Sequence, residues 1–296
     1  MRHQPNVPAD QTDPGNRLSA ASQVPEFTRE ERKAVEIQSR PSAALIHETI
    51  RAEGESELER TVWALLLSGL AAGLSMGFSL ITEGLLHARL PSAPWRELVS
   101  EFGYTVGFLI VVLGRQQLFT ENTLTPILPL LYHRDPSTLL RVLRLWAVVL
   151  LANVLATWLV AAAIAHTNVF DSETKAAFTE ISRQSLSAPF WDTVLKAIFA
   201  GWLIALMVWL LPAAETARPF IIVIVTYVVG LGGFAHIIAG SVDVLYLVET
   251  GQATWGDFLT RFFFPTLLGN VVGGVTLVSV LNYGQVAPEL KESPGQ

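Results

Sequence analysis

Cysteine is absent from the chain, which excludes disulfides, thiolate metal sites and cysteine nucleophiles. Charge is scarce as well. Asp, Glu, Lys and Arg supply 16% of the 296 residues, where a soluble domain carries about 25%. The shortage is uneven: residues 1–60 hold 19 of the 46 charges, leaving 27 for the other 236 positions. That is too few to coat a water-facing surface, so an ordinary cytosolic enzyme is excluded. Positive charge shows no excess either. A net charge of −6 and a pI near 5.5 remove the electrostatic basis for nucleic-acid binding. The six histidines are scattered, with no metal-ligand spacing, no Ser/His/Asp arrangement and no phosphate-binding glycine loop. We therefore expect no enzyme activity, no metal and no cofactor. No signal-peptide pattern opens the chain, so insertion into a membrane is expected to rely on internal segments.

What is abundant is apolar sequence: 51% of the residues are hydrophobic. A bilayer-spanning helix needs roughly 20 apolar residues, and six stretches qualify, at 61–86, 102–132, 145–165, 189–211, 219–248 and 262–283. The sequence thus predicts an all-α polytopic membrane protein with its channel domain at 61–284. Six crossings put both termini on one side. Lys and Arg other than Arg115 divide 13 to six in favour of that side, which the positive-inside rule makes cytoplasmic. Residues 1–28 are polar and expected to be disordered, and 285–296 form a short cytoplasmic tail. Residues 29–60 alternate charge with Val35, Ile37, Leu45, Ile46 and Ile50, a pattern expected of an amphipathic helix broken near Pro41. Two readings of it stay open, a solvated connector and a gate or partner-binding element.

The second and fifth spans are interrupted. In the second, the polar run Arg115-Gln-Gln-Leu-Phe-Thr-Glu-Asn-Thr123 sits inside apolar sequence, tolerable in a membrane only when buried or lining a polar cavity. In the fifth, Gly230-Leu-Gly-Gly233 lets the backbone leave helical geometry three residues before His236. Matched breaks in two three-helix halves predict an inverted repeat with a solute pathway at its interface. The glycines at 69, 73, 77, 269 and 273 recur every four residues, as close helix packing requires. Asn270 is expected to make an interhelical amide contact, with bonding to an unwound carbonyl as the alternative. Trp146, Trp158, Trp191, Trp202 and Trp209 read as interface anchors and packing. His47, His87, His133 and His166 fall at membrane edges, where solvated side chains are expected. Arg115 and Glu121 are expected to pair and pin the loop.

Three motifs carry a resemblance: Leu118-Phe119-Thr120, Gly233-Phe234-Ala235-His236, and Gly269-Asn270-Val271-Val272-Gly273-Gly274. In order and spacing they resemble the formate/nitrite transporters over about 60–284. The loop at 115–123 and the run from His236 through Gly240-Ser-Val-Asp243 are similar to an inner-membrane branch of that family. The resemblance implies an aquaporin-like fold, usually a pentamer in the inner membrane with one pore per protomer, passing a small monovalent anion or weak acid. It makes His236 the central histidine and Thr120 its facing threonine. Leu118, Tyr104 or Phe108, and Val229 stand at the constrictions. It also shows departures: Ala235 stands where the formate channels have glutamate, Gly240 where they have asparagine, and Ser185 near the usual vestibule lysine. Taking up a proton, directly or by a hydrogen bond from His236, would let a weak acid cross as the neutral form. Asp243, two helical turns beyond His236, either sets the histidine's charge or caps a vestibule. The paired Asn-Pro-Ala boxes of aquaporins are missing, which weakens a neutral-solute pore. A non-conducting scaffold or sensor signalling through the N-terminal region is the rival from another class.

Overall fold

A computed structural model describes residues 28–30, 41–280 and Gly284. The chain divides into Met1–Arg40 and Pro41–Gln296, and the helices described here all belong to the second unit. The expected terminal tails lie, but for Thr28, outside the described residues.

Helix α1 (Ala43–Glu59) starts directly after Pro41, with the Ser42 hydroxyl capping the Leu45 amide. It is no solvated connector. Ile50 and Leu58 are fully buried, Ile50 in a small core with Leu124, Leu128, Ala205 and Val208. Two long helices follow in contact, α2 (Val62–Arg89) and α3 (Arg96–Leu113). After the loop 114–126 come the short α4 (Ile127–His133) and the 31-residue α5 (Pro136–His166), capped by Asp135 and opened by proline. The amphipathic α6 (Ser172–Gln184) leads to α7 (Phe190–Leu210) and α8 (Arg218–Leu231). After a second loop come α9 (Ala239–Glu249) and α10. The last runs from Trp255 as α turns interleaved with π turns at Phe258–Phe263 and Val272–Val280. Pro265 cannot donate to the carbonyl four residues back, which accounts for the wider turn preceding it.

Among the described residues, four helices are long and apolar enough to cross a membrane: Val62–Arg89, Pro136–His166, Phe190–Ala213 and Trp255–Thr276. Each buries at most half of its most apolar window in the protein. The remainder displays side chains such as Leu140, Leu151, Phe199 and Leu268 outward, a face that hydrocarbon and not water must cover. The described residues contain no β-strand.

Small residues let the long helices approach backbone to backbone. A Cβ on Gly73 would strike the Asn153 carbonyl and come within 2.6 Å of the Ala156 methyl on α5. A Cβ on Gly201 would strike the Asn270 carbonyl on α10 in the same manner. Gly73→Leu is therefore expected to force α2 off α5. Overpacking of this kind costs about 1–3 kcal/mol, read as a lower melting temperature and poorer monodispersity in detergent. Gly256→Leu, at an exposed position with only Thr254 Oγ1 nearby at 3.4 Å, should leave both unchanged.

Candidate functional site

The two loops that interrupt the helix pattern are built alike. At the end of α3, the Gln116 amide donates to Val111 O and the Arg115 amide to Val112 O. At the end of α8, the Phe234 amide donates to Val229 O and the Gly233 amide to Gly230 O. Both are Schellman terminations, with Arg115 (φ 50°) and Gly233 (φ 56°) in the left-handed position. Glycine takes that conformation without penalty, whereas arginine pays about 1–2 kcal/mol.

An asparagine then secures each loop. The Asn153 carbonyl oxygen accepts the Phe119 amide at 2.9 Å, and its Nδ2 donates to Gly69 O (2.7 Å) and Gln117 O (3.0 Å). The Asn270 oxygen accepts the Ile237 amide at 2.9 Å, and its Nδ2 donates to Ala197 O (2.8 Å) and Ala235 O (2.9 Å). Asn270 thus performs both roles weighed from the sequence, bridging helices and satisfying an unwound carbonyl. Asn153 was missed, although an uncharged polar residue inside a 21-residue apolar stretch was the available signal. Trp146 is another loop support, its indole donating to Asn122 O at 2.7 Å.

The two loops meet at His236. Its Nε2 lies 2.8 Å from Thr120 Oγ1, and its Nδ1 accepts the Ala239 amide at 3.1 Å. An amide can only donate, so Nδ1 is unprotonated and Nε2 bears the proton. The imidazole is neutral, a state favoured by its place at the positive N-terminus of α9. Nε2–H then donates to Thr120 Oγ1, leaving the threonine's own proton free. Both residues are buried, His236 at 1% exposure and Thr120 at 0%. Phe108 packs edge-on against the imidazole at 4.9 Å, and Tyr104 lies tilted against Phe108 at 5.3 Å.

A cavity lies on each side of this junction. The far cavity, about 200 Å³, is lined by Tyr104, Val229, His236 and Asp243, and also by Glu83, Glu101 and Lys196. Between Tyr104 and Phe108, it is therefore Tyr104 that faces it. Asp243 shares this cavity and accepts a hydrogen bond from Ser185 at 3.0 Å; it makes no hydrogen bond to His236. Arg183 is turned to Gln252, and Lys196 supplies the cation. Beside Gly240 the Phe262 ring occupies the space, 2.7 Å from where a Cβ would sit. The near cavity, about 850 Å³, is lined by α1, Gln117, Glu121, Arg115 and Arg218. Leu118 and Thr120 line neither cavity and are fully buried between Gln117 and His236.

Several expectations are corrected. Arg115 does not pair with Glu121. Its left-handed backbone turns the guanidinium to Glu53 on α1, 2.6 Å away, and Glu121 keeps a buried oxygen without a hydrogen-bond partner. His47 and His87 are not solvated but 1% and 4% exposed, His87 against Glu180 at 3.2 Å. No group of three or more His, Cys, Asp or Glu suited to a metal occurs among the described residues.

A bundle of membrane-crossing helices enclosing two buried polar loops, with a cavity on either side, defines a multi-pass membrane protein of the channel or transporter class. Residues 44–284 match the family model for the formate/nitrite transporter, and the chain belongs to that family. It is 43% identical over 265 residues to "Inner membrane protein YfdC" of Escherichia coli, covering 88% of this chain and 86% of that one. It is 29% identical to "Formate channel BtFdhC" of Bacillus thuringiensis, over 79% of this chain and 91% of that one. A solved "Pentameric formate channel with formate bound" superposes with a TM-score of 0.65 at 18% identity, covering 76% of this chain and 98% of that one.

Helix α1 closes the near cavity through Glu57, which accepts bonds from Thr125 Oγ1 (2.6 Å) and Gln117 Nε2 (3.1 Å). Burial pushes its carboxyl above the ordinary value of 4.5; those two bonds and Arg60 oppose the shift, and Glu53 adds to it. A raised value in the docked state means docking is strongest below pH 4.5 and weakens as pH rises through the raised value. Hydrogen exchange of α1 amides, corrected for intrinsic rate, should therefore quicken with rising pH in wild type. In Glu57→Gln it should be flat; an equal slope in the variant would remove Glu57 from this role.

Proposed function

We propose that the chain is a channel or transporter for a small monovalent anion or weak acid, with formate the first solute to test. The family and its formate-channel relatives support this class, and the loop geometry supports a route. Six segments cross the bilayer: α2, α3 with α4, α5, α7, α8 with α9, and α10. They form two inverted three-helix halves in an aquaporin-like arrangement. The support is residue-by-residue: Arg115, Gln117 and Phe119 correspond to Gly233, Ala235 and Ile237 at a constant offset in cap, carbonyl and amide roles. The assembly is a homopentamer in the inner membrane with both termini cytoplasmic, as the pentameric relative and the charge distribution suggest.

The solute passes from one cavity to the other across Leu118 on one side and Tyr104 with Val229 on the other. Apolar rings make a bare anion costly there. The single observation that carries the mechanism is the His236–Thr120 hydrogen bond. By donating from Nε2, His236 frees the Thr120 hydroxyl to donate to the solute's oxygen at the narrowest point. The histidine assists protonation through this bond, stabilising the acid as it accepts its proton and crosses neutral.

The test is radiolabelled formate uptake into proteoliposomes across pH 5.5 to 8, with nitrite and acetate alongside. Uptake should rise toward low pH and fall by about tenfold or more in His236→Ala. Thr120→Val, which keeps shape and removes the hydroxyl, should fall similarly. Wild-type protein passing none of the three solutes at any pH would favour the non-conducting scaffold, for which the seating of α1 on the loop at Gln117 and Thr125 is the supporting contact.

A further inference from the structure

His236 cannot be the source of the proton that the proposed crossing needs. Its neutral imidazole has one proton, on Nε2, and losing it would leave an imidazolate. Acquiring a second would require breaking the Ala239 bond at Nδ1. The far cavity contains other candidates. Three carboxyl groups line it, Glu83 from α2, Glu101 from α3 and Asp243 from α9, against one ammonium, Lys196. Asp243 is tied to Ser185. Glu101 lies where a Cβ on residue 230 would fall, so Gly230 leaves room for it. Glu83 is different: it is 6% exposed, lines the cavity, and its carboxyl has no hydrogen-bond or ion-pair partner among the described residues. An unpartnered carboxyl buried between apolar helices and open only to a cavity is an expensive arrangement for packing alone. It also opposes anion passage when ionised, since three carboxylates outweigh one ammonium.

We infer that Glu83 is the proton donor of the pathway, handing its carboxyl proton to the incoming weak-acid anion in the far cavity before the solute reaches His236. The inference rests on the transport reading and names the solute class further: anions of weak acids, which can accept the proton, and not anions of strong acids. The Glu83 O–H bond breaks as the O–H bond of the neutral acid forms. The resulting carboxylate recovers a proton from the bulk phase on that side, and no electrons change hands. The groups facing Glu83 are Glu97, Glu101 and Tyr104 on α3, Lys196 on α7, Asp243 on α9 and His236 in the loop. Glu101 and Asp243 lie beside it in the same cavity, where they can pass a proton inward, and Lys196 draws the anion in.

The experiment measures formate uptake into proteoliposomes of wild type, Glu83→Gln and Glu83→Asp, with and without a potassium–valinomycin potential. Wild-type uptake should be indifferent to the potential, because the crossing species is neutral, and should rise as pH falls. In Glu83→Gln it should drop about tenfold or more with a flattened pH profile. Glu83→Asp should restore the pH dependence. Wild-type uptake driven by the potential overturns the inference without any variant. So does Glu83→Gln matching or outrunning wild type, the latter showing that Glu83 was only an electrostatic barrier. Methylammonium uptake by wild type that is lost in Glu83→Gln would assign the acids to a cation and also overturn it. Failure of the transport reading looks different: wild type passes no formate under any condition, and this inference falls with it.

Discussion

Hydrocarbon offers no hydrogen bonds, so a chain that leaves helical geometry within a membrane must satisfy every freed amide and carbonyl from its own side chains. Two asparagines meet that constraint here. Asn153 and Asn270 each use all the capacity that matters, one acceptor and two donors, on one amide and two carbonyls. Each also reaches the neighbouring long helix, at Gly69 or Ala197, so the loop and the helix pair are fixed together. The close contacts of Gly73 and Gly201 with the backbones at 153 and 270 follow from the same need. The asparagine must lie within bonding reach of the loop, so the helices bearing it can be no farther apart. Removing one amide would strand several buried groups at once, each costing about 1–3 kcal/mol.

With the loops held in equivalent frames, function depends on how they differ. The position after the clamped carbonyl is Leu118 in one loop and His236 in the other; two residues further along the pairing is Thr120 with Ile238. The first loop therefore presents an apolar side chain and then a hydroxyl, the second an imidazole and then an apolar chain. Thr120 and His236 meet at the junction, 2.8 Å apart, and Leu118, beside Thr120 in the chain, is fully buried. The asymmetry continues outward. The first break runs on through a short 3₁₀ turn to α4, carrying Glu121 and Thr125 to α1, while the second re-forms a helix at once, with His236 capping it.

How legible this was depended on the kind of signal. The helices, the two interruptions and the pair Thr120 and His236 could be read because long apolar stretches and motifs are one-dimensional. The family motif at 269–274 also brought out Asn270, while its counterpart Asn153 has no glycine signature beside it and read as one polar residue in a span. The loop correspondence was hidden because, from 111 to 123, only Val111, Leu113 and Gly114 are identical to their counterparts Val229, Leu231 and Gly232; what repeats is backbone geometry, which arginine adopts in one copy and glycine in the other. The pairing of Arg115 with Glu121 failed for the same reason: proximity in sequence says nothing about the direction in which a left-handed residue turns its side chain. Glu83, Glu101 and Lys196 lie on three helices, and only folding brings them into one cavity.

That convergence changes how the cavities should be understood. A pathway for anions is expected to be lined by cations, and the near cavity comes close, with Arg60, Arg115 and Arg218 facing four acids. The far cavity has one ammonium against three carboxyls. An unprotonated anion gains little there from Lys196 and is repelled from three directions, yet a solute that accepts a proton turns each of those carboxyls from an obstacle into a reagent. On the proposed reading, a surplus of acid is compatible with anion transport because the solute ceases to be an anion inside the cavity. On that reading the task of the neutral histidine beyond it is to hold an uncharged acid by a hydroxyl it has freed. A charged imidazolium at that point would bind the anion too well to release it across Leu118.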